Sequence, residues 1–222
     1  MTGITVSMHT EIIATTVSGL LIVFYYLYLA IKLHLTPNAS VHAFNAGIRR
    51  QWVSMIMASG KMDILAVQTL RNSVMAANFM ASTSVLLIIG TLNLSEKIGN
   101  WVLDKHWFAP EQSLSNQFWQ LKLGLLLLDF FIAFFCFSMA IRLFNHVGYM
   151  INLPQGAADE SLALRTFGYL NRAGRYYTLG NRAFYFSLPV IMWFFGPYFL
   201  LLGTVLLVIG LAILDKAPNY AE

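Results

Sequence analysis

The chain has 222 residues, of which 58% are hydrophobic and 11% are charged, and its formal net charge is +4. Soluble domains carry about 25% charged residues, so this composition excludes an ordinary soluble globular protein and indicates an integral membrane protein. In such a protein a small positive charge reflects the bias of the loops, and we expect no nucleic-acid partner. The length suits a single transmembrane domain, residues 1–222.

Four apolar stretches are long enough to cross a bilayer, which takes about 20 residues of helix. The predicted spans are residues 12–33, 66–90, 121–143 and 183–214. The last stretch contains Pro189 and the pair Gly196-Pro197, where we expect kinks, because a proline inside a helix removes a hydrogen bond. Residues 93–120 are polar and rich in tryptophan, which predicts a surface connection with a short helix.

Two basic amphipathic helices are predicted between the spans. In residues 38–59, apolar side chains recur every three to four positions, as in a helix that lies on a membrane surface. Residues 157–175 form a second basic segment, whose first turn carries Asp159 and Glu160, as suits a helix N-terminus. The predicted fold class is therefore all-α, with four transmembrane helices plus two cytoplasmic amphipathic helices.

The arginines predict the orientation of the chain. All of them lie in the first and third connections or at their edges, whereas the second connection and its flanks hold only lysines. By the positive-inside rule, the two arginine-rich connections are cytoplasmic and both termini are outside the cytoplasm. We therefore expect a multi-pass protein, with a bacterial inner membrane as its location.

Arginine and amide side chains gather in the cytoplasmic connections. Guanidinium groups bind phosphate bidentately, and a basic pocket between spans is a known kind of site for anionic lipid headgroups. The alternative is that these residues only fix the orientation and link the loops by hydrogen bonds. The candidate residues for anion or lipid-headgroup binding are Arg49, Arg50, Gln68, Arg71, Asn72, Asn171, Arg172, Arg175, Asn181 and Arg182.

Three other residues carry candidate chemistry. Asp129 is the only acid within a predicted span, and an intramembrane carboxylate is a candidate proton or ion carrier. A hydrogen bond to a Ser, Thr or Tyr of a neighbouring helix, or contact with Lys122, would explain it structurally. His34 and His146 end two of the spans and are candidate haem ligands, but a role as interfacial polar residues explains them better. We expect no metal and no cofactor.

The sequence contains no Walker loop, no zinc-type Cys/His spacing, no GxSxG and no HExxH. We therefore expect a non-enzymatic accessory or structural subunit of a larger membrane complex, or a homo-oligomer, whose partners are the bilayer and other membrane proteins or itself. The alternative is a small transporter or lipid-binding protein whose cytoplasmic-side arginine pocket receives an anionic phospholipid headgroup or a solute. A membrane enzyme that acts on lipids ranks last.

Three sequence blocks are distinctive: residues 45–53 (NAGIRRQWV), 64–72 (ILAVQTLRN) and 182–197 (RAFYFSLPVIMWFFGP). In these blocks, and over nearly its whole length, the chain resembles the membrane-protein family catalogued as domain of unknown function 599, found in bacteria and plants. The resemblance implies a membrane protein with several spans. It implies no activity, and it carries over no catalytic or binding residue.

Overall fold

A computed structural model describes residues 2–35, 41–59, 63–104, 116–153 and 160–216. Within these ranges nearly every residue is helical, which confirms the all-α class. The helices are α1 (Thr2–Leu35), α2 (Val41–Ser59), α3 (Asp63–Asp104), α4 (Asn116–Ile151), α5 (Glu160–Trp193) and α6 (Pro197–Leu214).

Four of these helices are long and apolar enough to cross a membrane, as predicted. The candidate spans are His9–Lys32 in α1, Ile64–Asn93 in α3, Trp119–Ile151 in α4 and Pro197–Leu214 in α6. The two predicted amphipathic segments are α2 and the first half of α5. The second of them is not a separate element, because α5 continues without a break into its apolar second half.

α4 is the central helix, and it runs antiparallel to α3. Leu126, early in α4, packs with Ile88, late in the apolar part of α3. Phe144, late in α4, packs in the same cluster as Leu70, near the start of α3. The order of these contacts along the two helices therefore establishes their opposite directions.

α5 also packs along α4 and runs antiparallel to it. The rings of Phe130 and Phe184 lie 6.0 Å apart, and those of His146 and Tyr169 lie 5.8 Å apart. Between these contacts the two helices approach closely at Gly180, where a Cβ atom would meet the ring of Phe137 at 2.8 Å. The absence of a side chain at Gly180 thus lets a large aromatic ring fill the centre of the bundle.

The predicted span 183–214 is not one kinked helix, because the chain reverses direction within it. Gly196 has a φ of 136°, a conformation that favours glycine, and Pro197 then opens α6. α5 and α6 form an antiparallel pair, and Arg182 in α5 binds Asp215 just past the end of α6. A single helix of that length would measure about 48 Å, well beyond the hydrocarbon core of about 30 Å.

α1 packs on α6 and runs parallel to it. Tyr25 of α1 packs on Leu211, late in α6, whereas Glu11 binds Lys122 at the start of the apolar part of α4. Glu11 and Asp215 therefore lie at opposite ends of the bundle, named here the Glu11 end and the Asp215 end. The start of α1 and the end of α6 thus lie at opposite ends of the bundle, because α6 returns across it, and this arrangement differs from the prediction that both termini lie on one side.

The connection between α3 and α4 is shorter than predicted. α3 continues past Gly90 to Asp104, and α4 begins at Asn116, so both helices take up parts of the expected surface connection. The remainder of that connection, residues 105–115, lies outside the described residues, and so does the predicted loop at residues 154–159.

Candidate anion-binding site

A cavity of about 430 Å³ opens at the Asp215 end, between α2, α5 and α6. Its volume lies within the usual range of small-ligand pockets. The polar residues that line it are Asn45, Arg49, Asn171, Arg175, Thr178, Asn181, Arg182, Tyr185 and Asp215. It is named the arginine cavity here, and of the predicted residues it brings together Arg49, Asn171, Arg175, Asn181 and Arg182.

Arg49 reaches the arginine cavity from α2. Its Nη1 donates a hydrogen bond to Oδ1 of Asn171 over 3.1 Å. Its guanidinium lies against the backbone of Gly174, where a Cβ atom would be only 2.5 Å from Cζ of Arg49. Burial lowers the pKa of Arg49, but an arginine stays protonated at neutral pH. The guanidinium of Arg49 therefore occupies space that is open only because Gly174 of α5 has no side chain.

Arg182 joins three helices at one side of the arginine cavity. Its Nη2 donates to Oδ1 of Asp215 over 2.5 Å, and its Nη1 donates to the hydroxyl of Tyr26 over 3.4 Å. The hydroxyl of Tyr25 donates to the second oxygen of Asp215 over 2.6 Å. Both oxygens of this carboxylate are thus held, and the cluster fastens α1, α5 and α6 together.

The arginine cavity has an excess of positive charge. Of the residues that the structure describes, three arginines line it against the single carboxylate of Asp215, so three positive charges less one negative charge leave two positive charges. In the part of the chain that the structure describes, neither Arg49 nor Arg175 takes part in an ion pair. A guanidinium offers five N–H donors, and those left free suit the oxygens of a phosphate or a carboxylate.

Arg49 also lines a second cavity, of about 600 Å³, on the other side of its side chain. This cavity lies between α2, α3, α4 and α5, and the predicted residue Asn72 lines it. Arg49, Gly174 and Thr178 line both cavities and therefore lie between them. Asn72 is thus a neighbour of the arginine cavity and does not line it.

A family model described as "Protein of unknown function, DUF599" matches residues 13–219. The chain belongs to this family. The match includes every residue that lines the arginine cavity, and it confirms the resemblance seen in the three sequence blocks. No curated protein and no solved structure matches the chain.

Four predicted residues lie away from the arginine cavity. Gln68 and Arg71 are exposed on α3, whose opposite face is buried. Arg50 is exposed and lines a separate cavity of about 380 Å³ between α2 and α5. Arg172 is exposed, and its Cζ lies 5.9 Å from the ring centre of Tyr176. These four side chains do not join the cluster that the sequence suggested.

Asp129 does not pair with Lys122. Asp129 is half-buried in α4, while the ammonium of Lys122 donates to Oε1 of Glu11 over 3.0 Å. Of the residues the structure describes, Asp129 forms no ion pair. The expected contact between Asp129 and Lys122 is therefore absent, and the role of Asp129 as a proton or ion carrier stays a prediction.

The two candidate haem ligands are both exposed, His34 near the end of α1 and His146 in α4. α1 packs on α6, whereas His146 lies beside Tyr169 of α5. No group of three or more His, Cys, Asp or Glu side chains that could hold a metal ion occurs among the described residues. Haem ligation stays an untested hypothesis.

Sequence reasoning missed a buried polar cluster at the Glu11 end. Glu11 and Lys122 are only 4% and 1% exposed. The indole of Trp193 donates to Oε2 of Glu11 over 2.7 Å, and the Trp193 carbonyl accepts from Lys122 over 3.3 Å. The partners of Arg182, namely Tyr25, Tyr26 and Asp215, were missed as well. The available signal was an acid or a lysine directly at the edge of an apolar run.

Proposed function

We propose that this DUF599 chain is a multi-pass membrane protein that binds an anionic group, a phosphate or a carboxylate, in the arginine cavity. One observation carries the proposal: Arg49 and Arg175 line a cavity whose only carboxylate among the described residues, Asp215, is already bound to Arg182. Two cationic side chains are thus left without an anionic partner among the described residues. A ligand with negatively charged oxygens would supply that partner.

Neutral donors in the arginine cavity favour a ligand with several oxygens. Asn181 and Thr178 line it beside the arginines, and Asn171 already holds Arg49 in place through its amide oxygen. A held guanidinium loses less conformational entropy on binding than a free one, which favours affinity. The same constraint fixes the direction from which an anion is approached.

The arginine-rich end of the bundle supports a cytoplasmic opening. By the positive-inside rule, the Asp215 end faces the cytoplasm and the Glu11 end faces outward. A bacterial inner membrane is the location that fits this orientation. The ligand would then be a cytoplasmic solute or a headgroup from the inner leaflet.

An accessory subunit, the first function expected from the sequence, stays a prediction, because no contact of the described helices favours a protein partner over lipid. The absence of enzymatic activity stays a prediction too. The mass of the protein purified in a mild detergent would test the first point, since a subunit or homo-oligomer would be recovered with its partner chains.

The experiment for anion binding is a titration of the purified protein, in a neutral detergent, with glycerol 3-phosphate by calorimetry. Hydrogen bonds to charged groups contribute about 1.5–3 kcal/mol, so Arg49→Ala and Arg175→Ala should each weaken binding by about tenfold or more. Arg50→Ala and Arg172→Ala are matched controls, because each removes the same charge from an exposed position on the same helix.

Arg49→Lys gives a further check of the geometry. It keeps the charge but loses the two parallel donors, so its affinity should fall between those of the unchanged protein and Arg49→Ala. Glycerol 3-phosphate that binds the Arg49 and Arg175 variants as well as the unchanged protein, or that binds none of them, would contradict the proposal.

A further inference from the structure

An apolar groove of about 450 Å³ continues from the arginine cavity along α5 and α6. Three residues line both: Tyr185, Leu211 and Leu214. The other residues that line the groove are Leu188, Met192, Gly203, Leu206, Leu207 and Gly210. Except for the Tyr185 hydroxyl, none of these side chains carries an N–H or O–H group. A charged site and a hydrocarbon-like site are therefore continuous.

The length of the groove matches one leaflet of a bilayer. Leu214 and Gly203 are eleven residues apart in α6, which corresponds to about 16 Å of helix. One half of the hydrocarbon core measures about 15 Å. At Gly203 the two helices approach closely, because a Cβ atom there would lie 3.0 Å from Cα of Pro189. The groove therefore reaches from the arginine cavity to about the middle of the membrane.

We infer that the ligand of the arginine cavity is a lipid with a phosphate monoester headgroup, with one acyl chain in the groove between α5 and α6. This inference rests on the anion binding proposed above. A phosphate monoester carries a charge of about −1.5 to −2 near neutral pH, which matches the two excess positive charges of the cavity. A zwitterionic headgroup brings its own cation and does not match them.

Charge complementarity is what separates this lipid from the rest of the bilayer. Any acyl chain can fill an apolar groove, since lipid tails and leucine side chains are similarly apolar. The groove alone therefore selects nothing, and the arginine cavity alone would accept a soluble phosphate. Only an anionic amphiphile uses both sites at once.

Gly210 offers a way to test the groove without touching the arginines. It lines the groove, and a Cβ atom there would meet nothing within 4 Å, so a leucine would extend into open space. Gly124 in α4 is the matched control, because it also has no atom within 4 Å of a Cβ and does not line the groove. Both substitutions remove a glycine from a helix and so should not weaken the fold.

The experiment titrates the purified protein with phosphatidic acid, phosphatidylcholine and glycerol 3-phosphate, with bound lipid counted by native mass spectrometry. The unchanged protein should bind phosphatidic acid at least about tenfold more tightly than phosphatidylcholine. Gly210→Leu should weaken phosphatidic acid about tenfold by crowding the chain, and leave glycerol 3-phosphate unchanged. Gly124→Leu should change neither, and Arg49→Ala should weaken both phosphate compounds.

Two results overturn the inference in distinguishable ways. If Arg49→Ala weakens both phosphates but Gly210→Leu binds phosphatidic acid like the unchanged protein, the groove is not used and anion binding stands. If Arg49→Ala weakens neither, anion binding fails and the lipid inference fails with it.

Discussion

Removal of Lys122 should destabilise the whole bundle, because this lysine is the cation that neutralises Glu11. Lys122 is 1% exposed, and its ammonium contacts Glu11 at 3.0 Å, the Trp193 carbonyl at 3.3 Å and the Trp193 ring centre at 4.7 Å. Lys122→Met fills much the same volume but removes the charge. The carboxylate of Glu11 would then remain buried, with the Trp193 indole as its remaining hydrogen-bond donor among the described residues.

The expected cost follows from that unpaired carboxylate. The loss of one partner of a buried ion pair costs about 3–5 kcal/mol, whereas replacement of both partners by groups of similar volume is often neutral. We therefore expect Lys122→Met to lower the free energy of unfolding by about 3–5 kcal/mol. The double variant Glu11→Gln/Lys122→Met should recover most of this loss, since a glutamine still accepts a hydrogen bond from Trp193.

The assay is reversible unfolding in sodium dodecyl sulfate mixed micelles, followed by circular dichroism. All four members of the cycle are compared: the unchanged protein, the two single variants and the double variant. If Lys122→Met unfolds within about 1 kcal/mol of the unchanged protein, or if the double variant is no more stable than Lys122→Met, the pair does not carry the stability argued from its burial.

Two further predictions concern the site and the topology. Gly174→Ala should displace the guanidinium of Arg49, because the new Cβ would lie 2.5 Å from Cζ, and should weaken glycerol 3-phosphate binding several-fold although no charge is lost. Gly168→Ala, with open space at its Cβ, is the control and should bind as the unchanged protein does. Equal affinities of the Gly174→Ala variant and the unchanged protein would contradict this role for Gly174. Compartment-specific reporters fused to the two ends of the chain should report opposite sides of the membrane, since the described helices cross the bundle an odd number of times. Reporters that read the same side would refute the antiparallel pairing of α5 and α6.

 Three crossings, by α3, α4 and α5, lie between α1 and α6. With α1 and α6 added, the chain crosses the bundle five times by the contacts of its described helices. An odd total places the start of α1 and the end of α6 on opposite sides, which is the result that the reporters should show.

Hydropathy alone predicted where α1, α3 and α4 lie, because each is a single apolar run of suitable length. Hydropathy could not distinguish a kinked helix from a reversal of chain direction in residues 183–214, since proline and glycine occur at both. The length of that run was the usable signal, because about 48 Å of helix does not fit a core of about 30 Å.

The candidate site was predictable only in part. Arg49 and Asn171 were expected to meet because their connections lie on the same side of the membrane, and their side chains do form a hydrogen bond. Gln68 and Arg71 do not reach the arginine cavity, because Ala66 and Leu70, on the opposite face of α3, are the residues buried in the core. Partners far apart in sequence, such as Tyr25 and Asp215, depend on which helices become neighbours, and local pattern does not specify that.

The hydrogen bond between Tyr25 and Asp215 joins residues 190 positions apart, and this separation has a consequence for assembly. A contact between the first and last helices cannot form until nearly all of the chain has been synthesised. Leu211, Leu214 and Asp215 also line the arginine cavity, so the cavity is completed by the same late event. A chain truncated before α6 would therefore present its arginines on an open surface, and ligand binding would report that synthesis has passed α6.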